Sequence, residues 1–139
     1  MSGWTEGVID HGGVSIHYHR TGTADLPPLV LAHGFSDNGL CWNRLAQGLE
    51  VHFDIIMPDA RNHGQSSRAP AGLEVMADDL LAVIDGLKLE QPVVLGHSMG
   101  ASMAADLAAR NPATVAKLLL EDPPWTKHQG NDREGDLEK

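Results

Sequence analysis

The sequence holds a single cysteine, Cys41, in 139 residues. A lone cysteine excludes an internal disulfide and any zinc cluster built on thiolates. Cations are also scarce: 10 Lys and Arg stand against 19 Asp and Glu, for a net charge of -9. A nucleic-acid surface needs clustered Lys and Arg, so that class of partner is set aside. The acidic surplus serves solubility and implies no basic partner. No apolar run approaches the roughly 20 residues that a membrane helix needs. The opening MSGWTEGVID lacks the basic and apolar regions of a secretory signal, so the expected location is cytoplasmic, away from membranes. No internal repeat or low-complexity segment is visible.

What is present is globular. Hydrophobic residues make up 42% and charged residues 21%, ordinary for a folded domain, and the length suits one domain. The first part alternates. Val14, Ile16 and Tyr18 interleave with Ser15, His17 and His19, which is the period of a half-buried strand. Turn residues Asp10-His11-Gly12-Gly13 precede it, predicting a hairpin over Gly7 to Arg20. His17 and His19 share one strand face, a spacing some metal sites use. The sequence offers no evident third ligand, and a solvated face of an outer hairpin is expected instead.

The pattern then changes to short, continuously apolar runs: Leu29–Ala32, Ile55–Met57, Val93–Leu95 and Leu118–Leu120. Such runs mark strands covered on both faces, as in a parallel sheet. Between them lie helical segments at Leu40–Leu49, Leu73–Leu87 and Ser98–Arg110. The second puts Met76, Leu80, Ile84 and Leu87 on one face and Asp78, Asp79 and Asp85 away from it. Asn111-Pro112 ends the third. Strands alternating with helices imply right-handed crossovers. The expected fold class is α/β: three layers, a mostly parallel six-stranded sheet, and an antiparallel N-terminal hairpin. Residues 1–125 are read as the domain. Residues 126–139 are read as a polar tail, disordered or the start of a missing cap.

One stretch points to chemistry. Val93-Val94-Leu95-Gly96-His97-Ser98-Met99-Gly100-Ala101 sets Gly-x-Ser-x-Gly between a buried strand and a helix. That is the context of a nucleophile elbow, a strained turn that projects a serine at the C-terminal edge of the sheet. Gly96 and Gly100 avoid collisions across the turn, and Ala101 and Ala104 let the helix approach the sheet. The plainer alternative is Ser98 as an ordinary helix cap. An acyl-transfer serine also needs N–H donors for the oxyanion. Met99 N–H supplies one candidate. Phe35 N–H, in His33-Gly34-Phe35 after the first parallel strand, supplies the other. Gly34 permits an unusual turn there, and His97 adjoins the same pocket.

LVLAHGF (29–35), MPDARNHGQS (57–66), GHSMGAS (96–102) and LLLEDPP (118–124) together resemble the α/β-hydrolase superfamily, in its esterase, lipase and haloperoxidase-like branch. The resemblance runs from about Gly7 to Pro124. It implies a truncated α/β-hydrolase core and a serine hydrolase of esters or related acyl compounds. It implies a small-molecule acyl substrate and neither metal nor organic cofactor. It also implies that the Asp59–Ser66 loop is structural.

The same resemblance raises the question of a base. The family's triad runs Ser, then Asp or Glu, then His. Lys117–Asp122 corresponds to the family's sixth of eight strands, so the usual acid and base are expected beyond Lys139. Some relatives carry the acid after this strand, which makes Asp122, or less well Glu121, a candidate. His128 is the only histidine after Ser98, in the polar tail. None of His33, His63 or His97 is expected to be the base. The chain alone is expected to be nearly inactive. Its last strand is expected to form an exposed apolar edge that self-associates or takes a complementary C-terminal chain. A binding or assembly module, and a lyase or perhydrolase on the same scaffold, stay open as rival readings.

Overall fold

The computed structural model describes residues 3–22 and 24–124. The expected tail, residues 126–139 with His128, lies outside the described residues. Six strands form one sheet: β1 (Thr5–His11), β2 (Val14–Arg20), β3 (Pro28–Ala32), β4 (Asp54–Pro58), β5 (Val93–His97) and β6 (Lys117–Glu121). Their spatial order is β1-β2-β4-β3-β5-β6. The hairpin is antiparallel, and β2 joins β4 antiparallel. The β4-β3-β5-β6 block is parallel throughout. The expected α/β class and sheet composition hold.

Among the described residues three helices cover the faces: α1 (Asn43–Leu49), α2 (Leu73–Gly86) and α3 (Met99–Arg110). A 3-10 turn at Gly39–Trp42 leads into α1, so the expected helix at Leu40–Leu49 is divided in two. The coverage is unequal. On one face α2 and α3 enclose the larger core, with Val30, Ile56, Leu80, Val83, Ile84, Val94, Ala104 and Leu107 at its centre. On the other face the short α1 supplies Ala46, which with Trp42 packs on Leu29, Leu31, Ile55 and Met57. Among the described residues, this second face opens toward β5 and β6. Leu95 is half-buried and Leu119, opposite it in the register, is 52% exposed.

One expectation about α2 is corrected. Asp79 does not face solvent; it is 2% exposed. Arg61 meets it with two hydrogen bonds, Nε to Oδ2 at 2.6 Å and Nη2 to Oδ1 at 2.8 Å. His11 Nδ1 adds a third contact to Oδ1 at 2.7 Å. A buried carboxylate is tolerated only with such partners. Helical periodicity sets Asp79 away from the apolar face but carries no information on its cation, which comes from a distant loop.

Candidate active site

The C-terminal ends of β3 and β5 lie side by side, with Ala32 opposite Gly96. The chain leaves β5 and enters α3 through one residue, Ser98, whose φ is 53° and ψ is -114°. A positive φ in a residue with a Cβ is strained. Three backbone bonds hold it: Ser98 N–H donates to Glu121 O at 2.9 Å, and Ser98 O accepts from Ala101 N–H at 2.9 Å and Ser102 N–H at 3.2 Å. The Ser98 side chain makes no capping hydrogen bond. This excludes the reading of Ser98 as a side-chain helix cap.

The two flanking glycines have steric causes. A Cβ on Gly96 would collide with the backbone of Gly100 and Ala101. A Cβ on Gly100 would collide with the carbonyls of Ala32 and His33. Ala101 and Ala104 are fully buried. The helix therefore starts directly against the end of β3, which brings the 33–35 loop to the serine. A Cβ on Gly34 would lie 3.1 Å from His97 Nδ1 and 3.5 Å from Ser98 Cβ. Gly34, His97 and Ser98 thus share one small region.

The loop itself is fixed by histidines. His33 is 2% exposed. Its Nδ1 lies 2.7 Å from Gly34 O, and its Nε2 accepts from Ala60 N–H at 3.0 Å. Nδ1 therefore carries the proton and donates to Gly34 O. Burial lowers the His33 pKa below 6.5, with the Gly34 bond opposing. Asp37 N–H also donates to Gly34 O, at 3.1 Å. The Gly34–Phe35 peptide is trans, so with its oxygen held by these donors its N–H points the opposite way. His63 spans from Arg61 O, 2.9 Å from Nδ1, to Phe35 O, 2.7 Å from Nε2. Phe35 is 74% exposed, and its ring lies edge-on to His63. Met99 opens α3, and its N–H is one of the first-turn donors without an intrahelical acceptor.

The Asp59–Ser66 loop is bonded internally and to its supports. Asp59 accepts from Gly39 N–H at 2.7 Å, Gln65 N–H at 3.0 Å and His17 Nδ1 at 2.8 Å. Burial alone would raise the Asp59 pKa, but these donors hold it below the ordinary value. Ser66 Oγ donates to Asp59 O at 2.6 Å. Gly64, at φ 49°, sits against the Asp59 carboxylate where no Cβ fits. These contacts make the loop a brace beside the site.

The histidines of β2 correct a second expectation. His17 is 6% exposed rather than solvated. Its Nδ1 reaches Asp59, and its Nε2 lies 2.7 Å from Glu6 Oε1. Glu6 on β1 sits opposite His19 on β2, so Glu6, His17 and His19 share one face. Sequence reasoning missed Glu6 because only the hairpin register brings it there. At the other edge, Glu121 pairs with His97, and Asp122 follows at φ 51°. Asp122 is thus at the strand end next to the Ser98 turn.

Comparison with known proteins decides the lineage. The alpha/beta hydrolase fold family matches residues 27–138. The chain belongs to the alpha/beta hydrolase fold family. N-formylmaleamate deformylase of Pseudomonas putida is 34% identical over 121 residues, 85% of this chain and 45% of that protein. Lipase LipV of Mycobacterium tuberculosis is 35% identical over 111 residues, 79% of this chain and 42% of that protein. Among solved structures, the N-formylmaleamic acid deformylase from Pseudomonas putida S16 superposes with a TM-score of 0.77 at 32% identity. That match covers 86% of this chain and 47% of the other. This alpha/beta hydrolase chain therefore spans less than half the length of these relatives. No helix among the described residues is long and apolar enough to cross a membrane.

Proposed function

We propose that this chain is the nucleophile-bearing half of a serine hydrolase that acts on carboxylic esters or related acyl compounds. Ser98 Oγ attacks the acyl carbonyl, and the N–H groups of Phe35 and Met99 receive the developing oxyanion. The alcohol leaves, water attacks the acyl-serine, and the acid departs. The observation that carries this reading is the backbone of Ser98, held at φ 53° with no capping bond from its side chain. Strain of this kind, in a polar side chain freed from any local bond, is kept at functional turns. The N-terminus of α3 further favours negative charge at the same point.

The base is assigned to chain outside the described residues. His33 and His63 each have both ring nitrogens against polar backbone atoms, so neither is free to take the serine proton. Asp122 stays the candidate for the acid, by its place at the end of β6. The soluble, cytoplasmic setting and the covering of β6 by a complementary C-terminal segment or a second copy belong to the same proposal.

Hydrolysis of p-nitrophenyl butyrate tests it. The 139-residue chain is expected to turn over barely above buffer. A longer polypeptide containing this segment is expected to turn over, and Ser98→Ala in it is expected to lower kcat by about 10³-fold or more. Full activity in Ser98→Ala overturns the proposal.

A further inference from the structure

Glu6, His17 and His19 form, among the described residues, the one group of three metal-capable side chains whose donor atoms all lie within 4.8 Å of one another. The arrangement around His17 asks for a cation. Its Nδ1 faces the buried Asp59 carboxylate at 2.8 Å, and its Nε2 faces the Glu6 carboxylate at 2.7 Å. With Nδ1–H donated to Asp59, a neutral ring would point the Nε2 lone pair at a carboxylate oxygen. That contact is repulsive unless a proton or a metal ion stands between them. His19 stands beside this gap, its ring edge-on to His17 with centroids 4.9 Å apart.

We propose that Glu6, His17 and His19 bind a divalent zinc-type transition metal, which staples β1 to β2. Two imidazoles and one carboxylate are the ligand types that zinc takes in three-ligand sites, the fourth position going to water. His17 is already preset for the role. A buried carboxylate on the far nitrogen fixes the tautomer, which leaves Nε2 as the ligand. The charges balance, since two neutral imidazoles, Glu6 and the outer Asp59 together offset a dication. Ligand atoms in a tetrahedral zinc site stand about 3.3 Å apart, given zinc–ligand distances near 2.0–2.1 Å. Binding therefore parts Glu6 from His17 slightly and draws His19 inward. Both adjustable partners sit at the surface, with Glu6 56% exposed at its side chain and His19 partly exposed. Asp59 belongs to the loop that braces the candidate active site, so the metal would stiffen that brace as well as the hairpin.

The test is zinc binding by the 139-residue chain, read by competition with a chromophoric chelator, with Co²⁺ absorption reporting the ligand geometry. The variants are Glu6→Gln and His19→Ala; His17 is left intact because it is buried against Asp59. The chain is expected to bind one zinc, to gain thermal stability with zinc, and to show the intense visible bands of four-coordinate Co²⁺. Each variant is expected to bind at least tenfold more weakly and to lose the zinc-dependent rise in Tm, with an unchanged far-UV circular dichroism spectrum. Failure of the chain to bind zinc overturns the proposal. So does binding that survives either substitution, which would place the ion on other histidines.

Discussion

At the residue scale, His33 shows how one side chain sets the shape of the candidate oxyanion loop. It donates from Nδ1 to Gly34 O and accepts at Nε2 from Ala60 N–H. Only the neutral ring can do both. Burial lowers its folded pKa below 6.5, so over a window beginning near that value the unfolded chain binds a proton that the folded chain does not. Stability from this group is fully present above about pH 6.5 and is lost as pH falls through the folded value. Imidazole NMR is expected to show His33 predominantly neutral, as the Nδ1–H tautomer, at pH 6.5, and stability to urea is expected to fall as the pH is lowered from 7 to 5. A charged His33 in the folded chain at pH 6.5 would contradict this. The residues of the 33–35 loop and the Gly-x-Ser-x-Gly turn were legible in the sequence because their spacing is local. The partners of Asp79 and His17 were not. Arg61 and Asp59 reach them through tertiary contacts that no period of two or 3.6 encodes.

At the scale of elements, the β5–α3 elbow is a problem of close approach. The helix begins where the Ala32 and His33 carbonyls already stand, so Gly100 has no room for a Cβ. Gly100→Ala is expected to cost about 2–3 kcal/mol or more, as overpacking against backbone does. Gly48→Ala is the contrasting change. Gly48 lies in α1, and a Cβ there meets nothing within 4 Å. Removing a helical glycine there is expected to stabilise by about 0.5–1 kcal/mol. Urea denaturation of both variants measures the difference. Equal effects would mean that the elbow is looser than the carbonyl contacts require. The elements themselves were mostly readable, since short apolar runs separated by amphipathic segments announce parallel strands and covering helices. The division of the segment before Leu49 was not readable. Asn38 caps a 3-10 turn by accepting from Leu40 N–H, and that local side-chain bond competes with a continuous α-helix.

At the scale of the molecule, the sheet is covered unevenly. Two helices pack one face, and on the other Leu119 stands 52% exposed beside the half-buried Leu95. Among the described residues β6 is also an edge strand, and an edge strand presents a row of backbone groups for pairing. The 139-residue chain is expected to self-associate through this edge, and Leu119→Lys is expected to shift it toward monomer. Light scattering after size-exclusion chromatography reads the outcome. A wild-type chain that is monomeric at all concentrations would contradict the idea of an open edge.

The central claim is that Ser98 is the nucleophile of an acyl-transferring site, and covalent labelling addresses it most directly. A fluorophosphonate probe forms a stable adduct with an activated serine, and peptide mass spectrometry locates the adduct. In a longer polypeptide that carries this segment, the adduct is expected on Ser98 and absent after Ser98→Ala, with weak labelling at most in the 139-residue chain. An adduct on any other residue of the longer polypeptide, with Ser98 unmodified, would contradict the account.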